Sequence, residues 1–173
     1  MINDKILLVA GTAALSASLL STTAIAATVT ATGNANVLTP LTITENTQME
    51  FGDVAGLSLL DGASSVVLTT AGGTSSSDGA TVFGTGLADA AGSFTVNGSG
   101  NLAYTISLPA NNVVTLTGLG TPMSVDSFNH NAGGTPALSG NTATFAIGAT
   151  LTIPGGQTAD SYSGSYDVTV NYQ

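Results

Sequence analysis

At both ends of this chain apolar and polar residues alternate with a period of two, a pattern that builds a strand and cannot build an amphipathic helix. Ala27, Val29, Ala31, Gly33, Ala35 and Val37 share one face, with Thr28, Thr30, Thr32, Asn34 and Asn36 on the other. Near the end, Tyr162, Gly164, Tyr166, Val168, Val170 and Tyr172 alternate with Ser163, Ser165, Asp167, Thr169 and Asn171. Each stretch reads as a long strand with one apolar face.

Between them the pattern predicts strands over 41–44, 49–51, 65–70, 94–96, 102–108, 113–117, 123–128, 142–147 and 151–153. Turn clusters separate these runs: Asp61-Gly62, Gly72-Gly73, Asn97-Gly98, Gly118-Leu119-Gly120, Gly133-Gly134 and Pro154-Gly155-Gly156. Asn97-Gly98 predicts a hairpin, since both residues tolerate positive φ. The Gly-, Ala- and Ser-rich stretch 72–92 predicts a long exposed loop pinned by Val82 and Phe83. Glutamate, lysine, glutamine and arginine, which favour helices, are nearly absent. An apolar share of 43% is too high for a chain that fails to collapse. The expected fold is an all-β, antiparallel sandwich.

The single basic residue apart from His130 is Lys5, in a segment with the marks of a cleavable secretory signal. A short polar start precedes an apolar run over 6–20, and Ala24-Ile25-Ala26 offers small residues for cleavage after Ala26. The apolar run is shorter than the ~20 residues a membrane-spanning helix needs. The expected organisation is therefore a signal peptide over 1–26 and one domain over 27–173, exported to the periplasm or to the surface of a bacterium. The mature chain carries carboxylates and neither lysine nor arginine. Such a surface repels nucleic acid and anionic lipid, so neither is an expected partner, and no membrane insertion of the mature chain is expected. With no cysteine, packing and strand pairing alone must hold the fold.

Catalytic chemistry finds no constellation here. His130 stands in Asn129-His130-Asn131, ahead of Gly133-Gly134, and reads as a polar-loop histidine, with no serine motif or carboxylate pair beside it. Glu45, Glu50, Asp53, Asp61, Asp78, Asp89, Asp126, Asp160 and Asp167 are scattered singly. No Asp-x-Asp spacing prefigures a calcium loop, although folding could bring Asp53 or Asp160 into one. The expectation is no catalytic, cofactor or metal site. Tyr104, Tyr162, Tyr166 and Tyr172 read as half-buried strand residues or, alternatively, as a sugar-binding platform.

The N-terminal strand, Pro40-Leu41-Thr42-Ile43, Met49-Glu50-Phe51-Gly52-Asp53-Val54 and the tail from Tyr162 to Tyr172 resemble a family of exported bacterial β domains, domain of unknown function 4402. More distantly, Phe51-Gly52 and the glycine-tyrosine-valine tail with its penultimate Tyr172 are similar to spore-coat protein U domains and archaic chaperone–usher pilins. What this resemblance implies is an immunoglobulin-like or pilin-like sandwich lacking one strand, filled first by a chaperone and then by the N-terminal strand of the next subunit. The implied donor is 27–38, through Ala27, Val29, Ala31, Gly33, Ala35 and Val37, with Tyr166, Val168, Val170 and Tyr172 on the C-terminal strand. The implied partners are copies of the chain, a periplasmic chaperone and an outer-membrane usher. Many relatives carry a cysteine pair that this chain lacks. The donor strand can equally fold back into its own domain, and the alternative function is a monomeric adhesive or carbohydrate-binding module.

Overall fold

The computed structural model describes residues 26–55, 63–76, 81–83 and 86–173. The expected signal segment, apart from Ala26, and the Asp61-Gly62 turn lie outside these residues. The chain divides into two units, Met1–Asn36 and Val37–Gln173. In the first, residues 26–36 are exposed and take no part in a ladder. The strand expected over 27–37 is thus not formed as a paired strand. Its side chains are small and Val29 is 90% exposed, so among the described residues no apolar packing buries it, and an unpartnered strand has little stability alone.

The second unit is all-β and antiparallel, with eleven strands among the described residues: β1 (Thr42–Thr47), β2 (Asp53–Ala55), β3 (Ser64–Leu68), β4 (Thr74–Ser76), β5 (Thr81–Phe83), β6 (Gly92–Asn97), β7 (Tyr104–Ser107), β8 (Val114–Leu116), β9 (Met123–His130), β10 (Thr142–Ile153) and β11 (Thr169–Tyr172). One seven-stranded sheet follows the order β1-β6-β10-β3-β4, with β9 also paired to β10 and β8 to β9. β7 and β11 form a separate pair, as do β2 and β5. Alternating residues of these strands meet in two apolar clusters. One gathers Val66, Leu68, Val114, Met123, Val125, Leu151 and Ile153 around Phe51. The other packs Phe94, Val96, Phe145 and Ile147 of the large sheet against Tyr104, Ile106, Val170 and Tyr172 of the β7–β11 pair. That second cluster is the filling of a β-sandwich.

The long β10 organises both clusters. Residues 142–147 pair with β6, residues 149–153 pair with β3, and β9 pairs along 147–152. The sequence reading left a gap between 147 and 151, but the strand runs through. A Cβ on Gly148 would meet Leu68 O, with Thr69 C at 2.9 Å and Thr70 N at 3.0 Å, so only glycine lets β3 lie this close. Opposite, the β9 register shifts. Ser127 takes φ 54° there, its N–H held by Asn111 Oδ1 at 2.9 Å. This is a bulge, and it sets Phe128 against both clusters.

Other expectations need correcting. Asn97-Gly98 does not join a β6–β7 hairpin, because β6 pairs with β1 and β10 while β7 pairs with β11. The chain crosses between layers there, since Tyr104 and Ile106 bury their side chains by facing β6 and not by pairing with it. The stretch 72–92 is not one loop: it holds β4 and β5, the latter carrying Val82 and Phe83 in register with β2. Residues 49–51 make only the isolated bridge Glu50↔Ala90. His130 ends β9 and is not in a loop; its ring meets Phe145 edge-on at 6.2 Å, and Nδ1 accepts from the Ala132 N–H at 3.3 Å.

Candidate functional site

The C-terminal tail keeps its predicted alternation but not its predicted pairing. Tyr162, Tyr166, Val168, Val170 and Tyr172 are half-buried, while the residues between them are exposed. Only Thr169–Tyr172 joins a ladder, with β7. Upstream, Ser163 and Thr117 exchange backbone bonds of 3.1 and 2.8 Å. Otherwise, among the described residues, no backbone–backbone hydrogen bond involves 158–168. Backbone groups without partners are costly when water is excluded, so an extended stretch of this kind presents a sheet edge ready for a strand.

Facing that edge across a cleft is the segment that leaves β1. One part of the cleft, about 360 Å³, lies between Glu45, Gln48, Met49 and Glu50 on one wall and Tyr162, Ser163, Gly164, Ser165 and Tyr166 on the other, with Leu116 between them. The adjoining part, about 590 Å³, lies between residues 49–55 and residues 157–162, over Met123, Leu151 and Ile153. The two parts share Met49, Glu50 and Tyr162. Met123, Leu151 and Ile153 belong to the first apolar cluster, so the core itself forms the floor. The walls therefore frame a slot whose floor is the buried core.

Close backbone approaches hold the tail wall in place. A Cβ on Gly164 would meet Thr115 O, and one on Gly120 would meet the Tyr162 hydroxyl. That hydroxyl donates to Thr158 O at 2.9 Å and lies 3.1 Å from Gln157 Oε1, while Gln157 Nε2 donates to Thr121 O at 2.8 Å. Asp160 Oδ2 accepts from the Leu119 N–H at 2.7 Å. On the facing wall, Asp53 Oδ2 accepts from the Leu87 N–H at 3.2 Å. Asp53 and Asp160 thus line one cavity but serve as loop clamps, and no group of three His, Asp or Glu able to hold a metal exists among the described residues.

Tyr166 marks the middle of the site. Its ring packs on Phe128 at 5.3 Å and on Phe94 at 6.5 Å. Its hydroxyl is turned inward, 2.5 Å from where a Gly92 Cβ would stand, and is buried without a hydrogen-bond partner. Burial first, then the Glu45 carboxylate, push this hydroxyl up to about 12. Tyr104, fully buried in the second cluster, is raised by burial. The four tyrosines do not converge: Tyr162 and Tyr166 line the cleft, Tyr104 is inside, and Tyr172 sits at the far end of the tail beside Ser99.

The sequence profile of a family described as Domain of unknown function (DUF4402) matches residues 41–172. The chain belongs to this family. The DUF4402 match covers both walls and the floor of the cleft and leaves 27–37 outside it. No curated protein and no solved structure matches the chain. Among the described residues no helix is long and apolar enough to cross a membrane.

Sequence reasoning reached Tyr166 and the alternating tail but missed the facing wall at Glu45, Gln48 and Met49, and the floor at Leu116, Met123 and Leu151. Their alternation was visible. What it could not carry was that folding brings them together around one cleft.

Proposed function

We propose that this protein is a noncatalytic, exported structural subunit of a surface fibre or coat, assembled when residues 27–37 of one copy fill the cleft of the next. The observation that carries the reading is the slot between residues 45–55 and 157–166, with a tail edge whose backbone is bonded to other backbone only at Ser163 among the described residues, and the core as its floor. Strand addition to such an edge draws affinity from main-chain hydrogen bonds and selectivity from side chains at alternate positions. Residues 27–37 match this demand: apolar at every second position, long enough at ~3.3 Å per residue to run the tail wall from 158 to 166, and uncharged. Neutrality matters because Glu45, Glu50, Asp53 and Asp160 rim the slot and would repel an acidic strand.

The pilin-like reading includes a periplasmic chaperone that occupies the slot before assembly and an outer-membrane usher that directs exchange. Export follows from the secretory pattern over 1–26. Durability outside a cell follows from the mature sequence, which offers no lysine or arginine to trypsin-like proteases and no thiol to oxidants.

Comparing unboiled with boiled surface extract on a denaturing gel tests the proposal, for the full chain and for a chain lacking 27–37. The expected result is a heat-sensitive ladder that disappears with the deletion. A single monomer band from both chains, with the shortened chain still folded, would instead mark a stand-alone surface module whose slot takes an adhesive or carbohydrate ligand.

A further inference from the structure

The segment that carries residues 27–37 is anchored by contacts that strand exchange does not use. Thr39 has both backbone groups engaged: its N–H donates to Ser99 Oγ at 2.7 Å, and its C=O accepts from the Tyr172 hydroxyl at 2.7 Å. The same hydroxyl accepts from the Ser99 N–H at 2.6 Å. Gly98 makes the space, since a Cβ there would meet the Tyr172 hydroxyl, with Leu41 Cδ2 at 2.6 Å and Leu138 Cδ1 at 2.9 Å. Pro40 fixes its own φ and keeps Thr39 extended. Leu41 packs into the second apolar cluster.

This anchor lies at the wrong end of β1 for self-insertion. Thr42, where β1 begins, is in register with Asn97, and Thr47 is in register with Ser93. The slot starts at Glu45 and continues to Ala55, away from the Asn97–Ser99 end. For a chain to fill its own slot, the segment ahead of Thr39 would have to reverse and run back beside β1. The bonded Thr39, Pro40 and the half-buried Leu41 hold the chain on a line past Asn97 towards Ser99, away from the slot, and so oppose that reversal.

Building on the strand-donation reading, we propose that Tyr172 is a latch: with Ser99 it fixes the base of the donor segment, so that residues 27–37 reach a second copy and not their own slot. Tyr172 is a positioning residue in this account, since it touches neither slot wall. The consequence is a head-to-tail contact that does not close on itself, as a fibre requires.

The test uses the full chain carrying Thr32→Cys and Ser165→Cys, one cysteine on the polar face of the donor segment and one on the exposed face of the tail wall. With Tyr172 intact, oxidation yields interchain disulfides and a ladder that reductant collapses. Tyr172→Phe keeps the ring and removes both hydroxyl bonds. The ratio of intrachain to interchain disulfide then rises by about thirtyfold, the effect of two ordinary hydrogen bonds. Ser99→Ala, which removes one, raises it by about fivefold. A folded Tyr172→Phe or Ser99→Ala chain with the parent ratio overturns the latch and leaves strand donation standing. Should Tyr172→Phe not unfold in one cooperative transition, Ser99→Ala decides. A parent chain that gives no interchain disulfide overturns strand donation and the latch with it.

Discussion

Gly148→Ala is the substitution whose cost follows most directly from the geometry. The added methyl would meet Leu68 O, Thr69 C at 2.9 Å and Thr70 N at 3.0 Å, all backbone atoms that no rotamer change can move. Relief requires β3 and β10 to part at the first rung of their ladder, Ala149↔Leu68. Overpacking of this kind costs about 1–3 kcal/mol, and a lost rung adds about 1 kcal/mol, so about 3 kcal/mol is expected. With m near 2 kcal/mol/M, the urea midpoint falls by about 1.5 M. Gly134→Ala is the control, because nothing lies within 4 Å of its Cβ position and its φ is not positive. That variant should stay within about 0.5 kcal/mol of the parent. Equilibrium urea unfolding followed by far-ultraviolet circular dichroism measures both. Equal midpoints for the two variants would refute the close approach of β3 and β10, and with it the reason β10 runs unbroken.

Two further outcomes follow from the cleft. Tyr166→Phe removes a buried hydroxyl that has no partner, so the variant should be as stable as the parent or up to about 1 kcal/mol more stable at pH 7 by urea unfolding. The folded-state pKa of Tyr166, about 12, is above the ~10 of an unfolded chain, so its contribution is whole below pH 10 and is lost as pH rises towards 12. Parent stability should therefore fall more steeply than that of Tyr166→Phe over that window; parallel curves would remove the burial argument. Assembly should strengthen with added salt, because copies with no lysine or arginine repel one another until ions screen them beyond ~8–10 Å. Sedimentation across a salt series that shows steady dissociation would contradict this.

The all-β class and most core strands were legible because period-two alternation records which face is buried: Phe94, Val96, Phe145 and Ile147 are all core residues that the pattern selected. Pairing was not legible. Asn97-Gly98 looked like a hairpin because its local turn chemistry permits one, yet the partner of β6 is chosen by the sandwich, where Val96 lies opposite Ile43 on one side and Ala143 on the other. The gap read between 147 and 151 fails for a similar reason, since the sequence shows the missing side chain of Gly148 and not the strand that occupies its place. The tail is the informative case. Alternation from Tyr162 to Tyr172 correctly gave the buried face, but only four of those residues found a ladder. A pattern that specifies a strand, on a stretch without a full set of strand partners, is what a sandwich built to receive one more strand would show.

The most direct test of that account mixes two single-cysteine chains, one Thr32→Cys and one Ser165→Cys, in a protein that otherwise has no cysteine. If residues 27–37 of one copy enter the slot of another, oxidation of the mixture gives a mixed disulfide dimer in high yield, while either chain alone gives little. Mixed dimer no more abundant than the dimers each chain forms by itself would contradict the central claim.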